Sequence, residues 1–511
     1  MFIECAGDTR LGAVDREQPR VTFRPLRLSF LAALAVLGSA CVESIQAPAP
    51  SLESTRYAPS SGPMSGYFSV QLTLDSVVDA AEVDRVTFGG VPAFGLEVLP
   101  SGALEVWTQG HPTGGEVAVQ LGAGEVTYDL SEPFNYESPR LTQVTSMHAV
   151  GASLTQGTQR GLPTQWSIRQ GPAAQLARQL GVYFPLPLLI EDGFQEMTPD
   201  LIGPAPYCVP PELDAYQMDQ ALELIPQLTD PETDQFSFAR VRTSPNLTAH
   251  NLAVGGSRVG EVLDGPVDGD IAMEFLSHMV YEPIATIGDP VNESQLEVLV
   301  AAEPELVVSF DLLGNDLIDG MIDNKDFSLI GMTPLATFLE DIDRGVAALA
   351  ETGAEVFLAT LPNPTELPFF RAKRARLAED GMTENADLVF AAIDEGVVAA
   401  NARLNAKASE YANVHVVDIA GLLTGWLSAG VQVGDETLLV AQYGGLIGLD
   451  GLHFSDTAYA LIANAMLARI AEVFEAPLPP IDVAAVWQAD RERPEALIAA
   501  GLEPAACQAE R

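Results

Sequence analysis

The chain has 511 residues, too many for one core, so two folded units plus tails are expected. Hydrophobic residues make up 47% and charged residues 19%, a globular composition, while 70 acidic against 26 basic side chains give a formal net charge of −44. That charge repels phosphate backbones and anionic lipid headgroups, which argues against a nucleic-acid partner.

In chain order, the first feature is the apolar run RLSFLAALAVLGSAC at 27–41, preceded by Arg20, Arg24 and Arg27. It is short for a bilayer span and ends in small residues, the pattern of a signal peptide over 1–40. Gly38-Ser39-Ala40-Cys41 resembles the bacterial lipobox, with Leu37 one place early. The resemblance implies lipidation of Cys41 and attachment to a membrane by acyl chains alone. Val42 and Glu43 differ from the aspartate of an inner-membrane retention signal, so an extracytoplasmic, outer-membrane lipoprotein is expected, with simple secretion as the alternative. Cys5 leaves with the signal, and the remaining pair, Cys208 and Cys507, is free to bridge in an oxidising compartment; the sequence leaves that pairing open.

Residues 41–60, rich in Pro, Ala and Ser, read as a tether. Short alternating runs follow: FSVQLTL at 68–74, VDRVTFGG ending at Gly90, LEVW at 104–107, VAVQL at 117–121 and FNY at 134–136. Gly and Pro separate them about every ten residues, the signature of a small β-sandwich over 61–138. The order SGPMSGYFSVQL, VTFGGVPA, GGEVAVQL and a closing FNY resembles the IPT/TIG immunoglobulin-like domains, which implies a spacer or a weak binding module.

Beyond Pro139 the texture changes. Apolar runs with the look of buried strands (VTSMHAV, ELVVSFDLL, AEVFLATL, VHVVDIA) alternate with helical stretches such as PLATFLEDIDRGVAALAETG and FAAIDEGVVAANARLNAKASEY. That rhythm predicts an α/β domain over 141–476, with a parallel sheet covered on both faces and sites at the carboxyl ends of its strands. A Pro-rich insertion at 184–245 interrupts it and reads as an ordered wall shaping a pocket, and residues 477–511 form a C-terminal extension.

The stretch VGASLTQG places Ser153 just past the first of these strands. A serine nucleophile needs a base, a carboxylate to orient the base, and donors for the oxyanion. Of six histidines, only His453 has a carboxylate, Asp450, at a spacing one turn converts into a hydrogen bond; Ser455 then caps a helix anchored by Tyr459, Ile462, Ala463, Met466 and Ile470. AHNLAVGGSRVGE offers Asn251 and the Gly255-Gly256 pair, and PELVVSFDLLGNDLIDG sets Gly314-Asn315-Asp316 after a hydrophobic strand. No HExxH motif or closely spaced Cys/His set is present, so no metal is expected.

VGASLTQG, NLAVGGSRV, LLGNDL and LDGLH stand in the order of the four blocks of the SGNH/GDSL hydrolases, and the resemblance covers about 141–475. It implies a three-layer α/β/α, flavodoxin-like fold with Ser153 as nucleophile, His453 as general base and then acid, and Asp450 as its orienter. It also implies an oxyanion hole from the backbone N–H groups of Ser153 and Gly256 and the Asn315 side chain. No cofactor is implied. The sequence departs from the family at Ala152, where the motif has aspartate, at Leu313, where it has glycine, and at Phe454, where proline often follows the histidine. Ala152 predicts altered support of the serine loop. The expected activity is ester hydrolysis on a small-molecule, lipid or acylated-glycan substrate. The alternatives are a carbohydrate O-acetyl esterase or an inert surface binding protein working through its TIG-like domain, and the oligomeric state is left open.

Overall fold

The computed structural model describes residues 51–52, 55–74, 77–190, 194, 213–231, 235, 237–267, 270–284, 291–318 and 331–501. Cys41, Cys208 and Cys507, and the signal segment at 1–40, lie outside the described residues.

The amino-terminal part is β-rich. One sheet runs in the order Ser51–Leu52, Val126–Leu130, Val119–Ala123, Arg85–Phe88, Val91–Pro92. A second runs Arg56–Ala58, Ser69–Thr73, Leu104–Trp107, Phe94–Val98, and Ser61–Pro63, Phe134–Glu137 and Gly115–Val117 form a third. Alternate residues turn inward, so that Val70, Leu72, Leu104 and Val106 of one sheet meet Val86, Phe88, Val119 and Leu121 of another around Phe134. The expected tether is shorter than its composition implies. Ser51–Leu52 pairs with Val126–Leu130 and Arg56–Ala58 with Ser69–Thr73, so residues before 61 already belong to the sandwich, because their backbone groups complete two sheet edges.

The sandwich is also built into its neighbour. Tyr67 packs with Phe94 in the core of the α/β part, and its hydroxyl receives the Leu186 N–H at 2.6 Å. The Arg169 guanidinium lies over the Trp107 ring, 4.1 Å from its centroid, and Ser244 donates to the Gln109 side chain at 2.7 Å.

In the rest of the chain, four strands form a parallel sheet in the order Met147–Ala149, Leu306–Ser309, Glu355–Ala359, Val414–Val417. Every residue of the first two is buried, as expected of strands covered on both faces, while the last, an edge strand, is only half-buried. On the other side of Met147–Ala149, parallel bridges join Ser146 to Tyr183 and Ala149 to Asn251. The sheet therefore grows in both directions from the strand that comes first in sequence, and its order reverses there. In such sheets a crevice opens at that point, beyond the carboxyl ends of the strands.

Helices Pro172–Leu180 and Asp456–Val473 pack on one another, and Leu335–Glu351 packs on Val259–Asp264 and Thr383–Ala408. The described part of the insertion holds the helix Leu213–Leu228, and Leu186, Leu188 and Leu189 bury its first limb. The carboxyl-terminal extension adds two short helices, Val483–Ala489 and Pro494–Ala499. No helix among the described residues is long and apolar enough to cross a membrane.

Candidate active site

Ser153 opens a one-turn helix, Ser153–Gln156, directly after the first parallel strand. Gly151 makes that turn possible: at φ +141° a Cβ would sit 2.7 Å from Asp311 Oδ1 and 2.8 Å from Thr155 Oγ1. The space it leaves is used by Asp311, at the end of the neighbouring strand. The Asp311 carboxylate accepts the backbone N–H groups of Ala152 (2.9 Å), Leu154 (2.6 Å) and Thr155 (3.2 Å), and the Thr155 hydroxyl (2.6 Å). Burial pushes its pKa above the usual carboxylate range against these four donors. The serine loop is thus supported by a carboxylate supplied from the end of the adjacent strand.

The Ser153 N–H is skipped by Asp311 and has no partner among the described residues. Beside it runs the glycine segment. A Cβ on Gly255 would lie 3.7 Å from that of Ser153, and the Gly255 N–H is committed to the Gln156 side chain at 3.2 Å. Gly256, at φ +89°, leaves its own N–H without a partner among the described residues. Asn315 is buried and fixed by one amide hydrogen to the Ser257 carbonyl at 3.0 Å, and its second hydrogen has no partner among the described residues. Its neighbour Asp316 binds the Val259 N–H at 3.0 Å, tying the two segments together, and burial raises the Asp316 pKa to about 6. Asn251 has a different task from the glycines: its amide braces the end of the serine turn at the Thr155 and Gln156 carbonyls. Leu313 is buried in the core.

Asp450 and His453 form the expected pair. His453 Nδ1 lies 2.6 Å from Asp450 Oδ2, and the carboxylate is wholly buried. It also accepts the N–H groups of Leu452 (2.9 Å), His453 (2.9 Å) and Gly161 (2.5 Å). Burial alone would raise its pKa, but the His453 ring and the N–H donors outweigh burial and hold it below the usual value. An ionised carboxylate only accepts, so Nδ1 carries the ring proton and Nε2 is left as the basic nitrogen. Ser455 caps the following helix through the Ala458 N–H, and Tyr459, Ile462, Ala463, Met466 and Ile470 are buried as expected. Phe454 is buried against Trp426 and Tyr459 and anchors this loop in the core.

The pair is tied to the serine turn through the segment that leaves it. Gly161 reaches Asp450, Tyr459 donates to the Thr158 carbonyl at 2.6 Å, and Gln217 of the insertion donates to the Gly161 carbonyl at 2.7 Å. No hydrogen bond joins Ser153 Oγ to His453; both the hydroxyl and Nε2 lack partners among the described residues.

No family model and no curated protein matches the chain. Backbone and amide N–H groups without partners among the described residues, on the serine turn, the glycine segment and Asn315, are donors of the kind that hold an oxyanion, and a buried carboxylate–imidazole pair is suited to moving a proton. A cavity of about 270 Å³ is lined by Trp166, Gln170, Asp456, Ala485, Val486 and Ala489, and by none of these groups. Asp311 escaped the sequence reading because nothing local marks it: its partners lie about 157 positions away and meet it only through strand pairing.

Proposed function

We propose that the protein is a serine ester hydrolase of the SGNH/GDSL type, working outside the cytoplasm on a lipid anchor at Cys41. The observation that carries this reading is the buried Asp450–His453 pair, 2.6 Å apart, with Nε2 uncommitted, on a loop bonded to the segment leaving Ser153. In the proposed reaction Ser153 Oγ attacks the ester carbonyl while His453 Nε2 takes its proton. The Ser153 and Gly256 N–H groups and the Asn315 amide hold the oxyanion. His453, kept in the Nδ1–H tautomer by Asp450, then protonates the departing alcohol. Water, deprotonated by the same Nε2, releases the acyl group from the serine. Bonds are made and broken by this chain's residues and water alone.

The competing reading is an inert scaffold with binding carried by the sandwich, and it draws on the absence of a Ser153–His453 hydrogen bond. That absence weighs little, because such bonds often tighten only once substrate is bound. Hydrolysis of p-nitrophenyl esters of increasing chain length tests the choice. The hydrolase reading expects Ser153→Ala to lower kcat by roughly four to six orders of magnitude. Wild-type protein that leaves every ester intact, or a variant that keeps its activity, contradicts it.

A further inference from the structure

We infer that the carboxyl-terminal segment around Asp490 and Glu492 completes the active site, with both carboxylates acting as positioning residues for the Asp450–His453 pair. The inference rests on the hydrolase reading.

The segment enters the fold on Trp487 and leaves it on Leu497, both buried. Between them it buries two carboxylates, Asp490 at 2% and Glu492 at 1% exposure. A tail that only covered apolar surface would not bury two carboxyl groups, because burying a polar group is costly unless it finds hydrogen-bond partners. The partners lie on the two stretches of chain that hold the catalytic pair.

Glu492 Oε1 is 2.6 Å from Arg160 Nε, and the same guanidinium donates to the Arg491 carbonyl at 3.2 Å. Arg160 has a left-handed backbone, φ +49°, uncommon for a residue with a side chain, so its turn needs to be held from outside. The next N–H, that of Gly161, reaches the same Asp450 oxygen that receives His453 Nδ1. The relay is therefore Glu492, Arg160, Gly161, Asp450, His453.

Asp490 grips the other side. Its Oδ2 accepts the Thr457 N–H at 2.8 Å and the Thr457 hydroxyl at 2.5 Å, in the first turn of the helix that follows His453. Its Oδ1 takes the Glu492 N–H at 2.8 Å, which locks the two carboxylates to one another. Arg491, between them, stacks on Trp166 at 4.0 Å, and Trp166 in turn donates to Asp456 at 3.2 Å. Three consecutive residues thus meet both the stretch that leaves the serine turn and the stretch that follows the histidine.

The test uses the full chain. Glu492→Gln keeps the shape of the side chain and replaces a carboxyl, whose pKa burial raises to about 7, by an amide that cannot ionise, and Thr457→Val removes the hydroxyl that Thr457→Ser retains. Positioning predicts that Glu492→Gln and Thr457→Val lower kcat by about 10- to 100-fold with KM nearly unchanged, and slow fluorophosphonate labelling of Ser153 in parallel. Thr457→Ser should restore kcat to near the wild-type value. Circular dichroism measures the folded fraction, and kcat is expressed per folded molecule. If kcat per folded molecule stays at the wild-type value in both Glu492→Gln and Thr457→Val, the segment is only a staple for folding and the inference is overturned. Should Glu492→Gln fail to fold, the Val and Ser variants at Thr457 give the same decision. Wild-type protein that neither labels nor hydrolyses esters removes the hydrolase reading first, and this inference with it.

Discussion

Of the four backbone N–H groups from Ala152 to Thr155, three end on Asp311 and the one passed over belongs to the serine. Such selective commitment fixes the turn while leaving one donor without a partner among the described residues. Preorganised donors gain their advantage in that way, since none has to be freed from another partner when charge develops. Asn315 follows the same logic, with one amide hydrogen spent on Ser257 and one in reserve. Asn315→Ala is expected to lower kcat by about 10²–10³ with KM nearly unchanged, and steady-state kinetics on a short-chain ester checks it. An effect confined to KM would assign the side chain to substrate binding instead. At this scale the sequence was legible where partners are close along the chain. Asp450 and His453 are three residues apart, and a single turn brings them together. Asp311 was illegible, because its work depends on which strand lies beside which.

Among the elements, legibility followed periodicity. The four parallel strands and the helices Leu335–Glu351 and Thr383–Ala408 lie within or overlap the stretches that their apolar spacing marks out. Phe94–Val98 gave no signal, since only its first residue is buried and an edge strand of this kind has no inward face to alternate. The tether was misjudged for a related reason: strands of two or three residues at a sheet edge are held by backbone bonds that composition does not record. The union of sandwich and α/β part was also hidden. Tyr67, Phe94 and Trp107 have the side chains any sandwich core would use, and nothing in their spacing says that Tyr67 and Phe94 pack into the neighbouring core or that Trp107 carries Arg169. A spacer that shares its core with the next unit is part of the scaffold of the site. Through Arg169 it also holds the helix Gln165–Gln170, which lies between the serine turn and Pro172–Leu180.

Across the whole molecule, two histidines make stability depend on pH. His148, on the first parallel strand, stacks on His250 at 3.8 Å between ring centroids, and neither ring nitrogen of His148 has a hydrogen-bond partner among the described residues. Burial, reinforced by the neighbouring ring, lowers the His148 pKa to about 3, and burial lowers that of His250 to about 4. In the unfolded chain both titrate near 6.5. Between that value and about 4 the unfolded state binds protons that the native state refuses, so stability falls as the pH drops through this window, by up to about 1.4 kcal/mol per group per pH unit. The buried carboxyls of Asp316 and Glu492, raised to about 6 and about 7, act with the opposite sign over the same window, so the histidine contribution is read as a difference: from pH 7 to pH 4.5 the Tm of His148→Leu should lose less, relative to its value at pH 7, than that of the wild type. Parallel changes in the two proteins would remove His148 from the acid response. Everything proposed about the chemistry depends on the convergence of segments distant in sequence upon one hydroxyl. The most direct measurement is peptide mapping by mass spectrometry after treatment with a fluorophosphonate. A single adduct on Ser153, lost in His453→Ala, is the expected result; an unmodified Ser153, or an adduct indifferent to His453, would contradict it.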